Sequence, residues 1–95
     1  MAVKVLIKRK VAEKNAPELE ALLRKMRAMT LNQKGYISGE SFTRLDEPGV
    51  SMVISTWQTL DDWRAWTLSK ERIEVQDQID KLLGAPTQYE IFENA

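Results

Sequence analysis

The chain is predicted to fold as one α+β domain of ferredoxin-like type, βαββαβ, with a four-stranded antiparallel sheet. Three observations carry the prediction. Hydrophobic periodicity switches between two residues and about 3.6 in the order strand, helix, strand, strand, helix, strand. Asp46-Glu-Pro-Gly49 is a β-turn that joins two neighbouring strand-type runs into a hairpin. The run Val50 to Trp57 is apolar on both faces, with Val50, Met52 and Ile54 on one and Val53 and Trp57 on the other. A sheet with one face in water shows one clean polar side, so helices are expected on one face and a second copy of the chain on the other.

The elements follow in order. Val3 to Val11 is the first strand, with Val3, Val5, Ile7 and Val11 on one face and Lys4, Leu6, Lys8 and Lys10 on the opposite one. Alternation splits the basic run Lys8-Arg-Lys10 across the two faces, and it reads as a solvated strand end. Asn15-Ala-Pro-Glu18 starts a helix: Asn15 is a cap, Pro17 suits the first turn and Glu18 completes a capping box. Leu19, Leu22, Leu23, Met26 and Met29 then form one apolar stripe, a core face, which Gly35 closes. Tyr36 to Leu45 is the second strand, in which Gly39 marks a bulge or a close approach. Val50 to Trp57 is the third.

Thr59 caps the next helix, and Asp61 and Asp62 sit at the positive end of its dipole. That accounts for both carboxylates without an acid–base role, the alternative for such a pair. Ser69 restarts the helix after a break, Gly84 and Pro86 stop it, and Thr87 to Phe92 is the last strand. The chain has 3 tryptophans, and all lie between Trp57 and Trp66 at the corner from the third strand into the second helix. They are either the thickest part of the core or the wall of an aromatic pocket.

Composition narrows the chemistry. A chain of 95 residues buries only about 60–65% of its unfolded surface, so its core is thin. There is no cysteine and no histidine. Soft and borderline metals lack their usual ligands, and Ser-His-Asp and Cys-His nucleophile systems are impossible. Fourteen basic residues balance 14 acidic ones, so no net field draws nucleic acid or acidic lipid. An RNA-recognition use of the motif is excluded because strand 1 has no aromatic residue and strand 3 lacks the required basic-Gly-aromatic pattern. No signal peptide and no 18-residue apolar run is present, and a cytoplasmic protein is expected.

Gly35-Tyr-Ile-Ser-Gly-Glu40, Val53-Ile-Ser-Thr-Trp57, and Trp66 followed by Ser69-Lys-Glu-Arg72 together resemble the antibiotic biosynthesis monooxygenase family of dimeric α+β barrels. The resemblance covers nearly the whole chain. It implies a homodimer whose open sheet faces meet as a barrel, and a small-molecule cavity between helices and sheet in each subunit. Members of the family oxygenate quinol or polycyclic aromatic substrates without metal or flavin; others bind and degrade haem. The haem degraders carry a proximal His ten residues after the helix Trp, where this chain has Gln76, and a strand-1 Asn where it has Lys8. Haem degradation is therefore not expected. The anthrone-oxidising members carry an Asn four residues before the strand-3 Trp, where this chain has Val53.

The resemblance thus implies a cofactor-independent monooxygenase acting on a small phenol, quinol or anthrone-like compound, with no cofactor and no metal. Trp57 and Trp66 are the expected pocket walls and, with Arg72, the expected catalytic group. Gln76, Lys8, Ser38, Tyr36 and Val53 are the expected substrate-pocket residues. The rival reading is a non-catalytic dimer that binds an aromatic metabolite or supports partner enzymes; loss of the polar contact at Val53 favours it.

Overall fold

The computed structural model describes residues 2–95. Its elements are β1 (Val3–Lys10), α1 (Ala16–Thr30), β2 (Tyr36–Thr43), β3 (Val50–Trp57), α2 (Leu60–Thr67), α3 (Lys70–Leu83) and β4 (Gln88–Glu93). The four strands make one antiparallel sheet in the order β2-β3-β1-β4. This is the expected ferredoxin-like α+β arrangement. The sheet is open and does not close on itself within one chain.

Local chemistry sets the helix ends. The Thr59 hydroxyl accepts a hydrogen bond from the Asp62 backbone N–H at 3.1 Å, which caps α2 as expected. Gly84 ends α3 with φ 73°, a left-handed residue that glycine adopts without a Cβ penalty. The start of α1 differs from the expected capping box. A 3₁₀ turn at Glu13–Asn15 precedes it, and Asn15 makes no capping bond with its side chain. The Asn15 amide instead reaches across to donate to the Leu82 carbonyl, tying the two long helices together.

Strand register assigns each side chain to a face. Val3, Val5, Ile7 and Arg9 lie opposite Trp57, Ser55, Val53 and Ser51, and this inner face meets the helices. Lys4, Leu6, Lys8 and Lys10 lie opposite Thr56, Ile54, Met52 and Val50 on the outer face. Two buried clusters fill the space between inner face and helices. Val3, Val5, Trp57, Trp63 and Trp66 form one. Leu19, Val75 and Ile79 form the other, where α1 crosses α3. Met26 and Met29 of the α1 stripe touch both, a position that suits an unbranched, adaptable side chain.

The outer face is mixed. Leu6, Met52 and Ile54 are half-buried, while Phe42 and Phe92 stand 43% and 51% exposed. Among the described residues, no helix is long and apolar enough to cross a membrane.

Candidate functional site

Between α1 and the inner face lies a partly open cavity of about 240 Å³. Its floor is the sheet: Ile7 and Arg9 of β1, and Val53, Ser55 and Trp57 of β3. Its roof is the α1 stripe, through Leu23 and Met26. Trp63, Trp66, Arg72 and Gln76 of α2 and α3 close the far end. Exposed Arg27 of α1 and Leu31 just past its end face Gly39 and Ser41 of the edge strand β2, and the gap between them forms the mouth. The wall is mostly apolar, which suits an aromatic guest.

Aromatic rings brace this wall edge to face. Tyr36 and Trp57 have ring centroids 5.4 Å apart at 71°. Trp57 and Trp63 follow at 5.7 Å and 66°, and Trp63 and Tyr89 at 5.6 Å. Tilted pairs at these distances place a ring's positive edge on its neighbour's negative face. Trp57 is fully buried, and its indole N–H donates to the Ser55 hydroxyl at 3.2 Å. Core and pocket, posed above as alternatives, are one structure here: each tryptophan is buried and each lines the cavity.

The polar end is built from α3, β1 and β4. Arg72 is buried, donates to the Tyr89 hydroxyl at 2.6 Å, and lies 5.6 Å and 5.4 Å from the centroids of Trp63 and Tyr89. Both rings lie within cation–π reach of the guanidinium. Burial pushes the Tyr89 phenol above its ordinary pKa, even though the Arg72 and Arg9 charges pull the other way. It stays a neutral hydroxyl at neutral pH. Gln76 donates both amide hydrogens, one to Asp80 Oδ1 and one to the Thr87 hydroxyl, each at 2.8 Å. The same Asp80 oxygen accepts from the Thr87 N–H at 3.1 Å and the Thr87 O–H at 2.8 Å. A carboxylate accepts only, so this network fixes which end of the Gln76 amide faces it.

Among the described residues, two buried side-chain polar atoms are left over. Arg9 Nε and Gln76 Oε1 have no hydrogen-bond partner. Arg9 is 8% exposed, against the expectation that the basic run is a solvated strand end. Position 9 shares the parity of Val5 and Ile7, so the strand carries its guanidinium under the helices. Burial lowers the Arg9 pKa, with Tyr89 and Asp80 opposing the fall and Arg72 adding to it.

The expected site residues divide accordingly. Trp57, Trp66, Arg72, Gln76, Tyr36 and Val53 all line the cavity. Lys8 does not: alternation puts it on the outer face, half exposed and 2.8 Å from Glu90. Ser38 does not either. The β2–β3 register shifts between Tyr36 and Ser38, so Gly39 and Ser41 rather than Ser38 share the inner face with Tyr36. Gly39 is itself approached by Tyr36: a Cβ there would sit 2.7 Å from the phenol oxygen. Arg9 and Trp63 line the cavity and were not among the expected site residues. Strand parity was the available signal for Arg9.

Among the described residues, no three His, Cys, Asp or Glu side chains gather as metal ligands. No carboxylate among them lines the cavity.

The sequence model of the antibiotic biosynthesis monooxygenase family matches residues 2–78. Among curated proteins, none matches the chain by sequence. Several solved structures share the fold. A conserved protein from Methanosarcina mazei Go1 superposes with a TM-score of 0.92 at 19% identity, over 100% of this chain and 94% of that one. SnoaB, a cofactor-independent oxygenase from Streptomyces nogalater, gives 0.86 at 16% identity, over 99% and 93%. Rv0793 from Mycobacterium tuberculosis gives 0.87 at 18%, over 100% and 96%. At these identities the likeness is one of fold.

Proposed function

This chain belongs to the antibiotic biosynthesis monooxygenase family, and from that premise we propose that it is a cofactor-independent monooxygenase acting on a small electron-rich aromatic compound, a phenol, quinol or anthrone-like molecule. One observation carries the reading: an aromatic-walled cavity has a buried guanidinium, Arg72, at its closed end. The likeness to SnoaB in fold agrees with it.

The chemistry needs little from the protein beyond placement and field. The substrate hydroxyl loses its proton, and the phenolate oxygen lies on the guanidinium, where a preformed positive charge in an apolar chamber stabilises it. The anion passes one electron to dioxygen. The resulting radical pair recombines as a C–O bond, and the peroxide loses water to leave a carbonyl. A phenol and one dioxygen thus give a quinone and one water: one oxygen atom enters the product, and the other leaves with the phenolic proton and a ring hydrogen. With no carboxylate of the described residues on the wall, the proton leaves to solvent through the mouth. The cavity of about 240 Å³ lies below the roughly 300–1,000 Å³ of drug-sized pockets, which favours a one- or two-ring substrate over a polycyclic one.

The outer face belongs to the same reading. The half-exposed Phe42 and Phe92 and the half-buried Leu6, Met52 and Ile54 suit a second copy, and we propose a homodimer through this face. Sedimentation equilibrium should give twice the chain mass. The rival, a non-catalytic binding dimer, is favoured by Val53 on the cavity wall, where a polar group would contact substrate. Oxygen uptake by purified protein with a panel of quinols and phenols, beside Trp66→Phe, decides between them. Uptake above the spontaneous rate that falls in the variant supports the oxygenase. Ligand quenching of tryptophan fluorescence with no uptake supports the binder.

A further inference from the structure

The polar end of the cavity carries more positive charge than a neutral phenol would balance. Arg9 and Arg72 are 8% and 7% exposed, and both line the chamber. The carboxylate in their neighbourhood is Asp80, already committed to Thr87 and Gln76. Two buried cations therefore face one carboxylate, with Arg9 Nε lacking any acceptor. A buried donor on a charged group is destabilising while it lacks an acceptor, and an anionic partner removes that cost. The second orphan has the opposite polarity. Gln76 is 7% exposed, lines the same chamber, and presents Oε1 as an acceptor without a donor. A ligand that satisfied both would bring an anionic oxygen and a separate hydroxyl hydrogen on an apolar frame.

We infer that the cavity takes a hydroxylated aromatic carboxylate, its carboxylate on the Arg9 guanidinium and its hydroxyl donating to Gln76 Oε1 while the hydroxyl oxygen accepts from Arg72, where the phenolate forms. A carboxylate is ionised at neutral pH before any chemistry begins, so it balances the excess charge on binding, whereas a plain phenol or quinol enters neutral. Guanidinium presents its N–H groups in a planar fork that matches a carboxylate's two oxygens. The inference deepens the oxygenase reading and rests on it only in taking this cavity as the ligand site.

Binding without oxygen tests it, because turnover then plays no part. The probes are 4-hydroxy-2-naphthoate, its methyl ester and 4-methoxy-2-naphthoate, followed by quenching of tryptophan fluorescence and by calorimetry. In the first probe the hydroxyl is too far from the carboxylate to bond internally. The acid should bind about tenfold or more tightly than the ester, as expected for a charged partner in a buried site. The hydroxy acid should also bind more tightly than the methoxy acid. In Arg9→Met, checked for a cooperative thermal transition, the acid-over-ester preference should shrink several-fold. An ester that binds as tightly as the acid, or no binding by any of the three probes, overturns the inference, and this wild-type comparison stands whether or not the variant folds. Methoxy and hydroxy acids of equal affinity overturn the role of Gln76. If the acid binds as expected but is not oxygenated in air, the oxygenase reading fails and this one stands. If neutral quinols are oxygenated and the acid gains nothing over its ester, the reverse holds.

Discussion

Replacing Arg9 by Met should stabilise the ligand-free protein. Most substitutions of a buried residue destabilise, so the sign is diagnostic. Arg9 is 8% exposed, its Nε has no acceptor, and burial already lowers its pKa. An unsatisfied buried donor costs about 1–3 kcal/mol, more on a charged group. Exchanging a buried charge for an apolar side chain is commonly neutral or stabilising by about 1–4 kcal/mol. Methionine keeps an apolar stem of similar length but leaves the cavity larger, which offsets part of the gain. A net gain of about 1 kcal/mol corresponds, in a domain of this size, to a rise in Tm of roughly 4–8 °C. Thermal unfolding followed by circular dichroism measures it, with Ile79→Val as the control. Ile79 is fully buried, and removing one methylene there costs about 0.5–1.5 kcal/mol, so its Tm should fall by a similar amount. A Tm for Arg9→Met that falls as far as that of Ile79→Val would refute the view of Arg9 as an uncompensated charge held for a ligand.

Three further outcomes follow from the geometry. Arg72→Met removes the guanidinium at the closed end, and oxygen uptake should drop about 10²–10³-fold, the usual cost of losing one oxyanion donor; steady-state uptake with the best phenol of the panel measures it. Burial raises the Tyr89 pKa above 10.0, so the folded state holds that proton more tightly than the unfolded chain. Its contribution is therefore whole below the ordinary tyrosine pKa and lost as pH climbs through the folded value; urea unfolding on the alkaline side should show stability falling, less steeply in Tyr89→Phe. Gly84→Ala meets no atom within 4 Å, so its cost is conformational alone, about 1–2 kcal/mol for an L-residue at φ 73°, read as a fall in urea midpoint with unchanged slope.

Much of the scaffold was legible because local chemistry fixes it. The bounds of β3, the Thr59 cap, the break at Ser69 and the left-handed Gly84 all follow from neighbouring residues. The aromatic end of the site was legible for the same reason: Trp57, Trp66 and Arg72 are set by one strand, one helix and the start of the next. What escaped depends on partners distant in sequence. Ser38 was expected at the site from the family resemblance, and a shift in register against β3, one residue before the Gly39 bulge signal, turned it outward. Lys8 and Arg9 are adjacent cations with opposite fates, one beside Glu90 in solvent and one under the helices. Alternation distinguishes them, but treating the basic run as one solvated end concealed it. Gln76 was expected from its place ten residues after Trp66, yet its free carbonyl emerges only once Asp80 and Thr87 are seen to claim its amide.

The most direct test of the central claim is isotopic. Purified, metal-stripped protein is given a one- or two-ring phenol or quinol under ¹⁸O₂, and product and water are analysed by mass spectrometry. Consumption should run above the spontaneous rate, with one labelled oxygen atom in the quinone product and the other in water. Consumption no faster than without protein, or a product carrying no label, would contradict it.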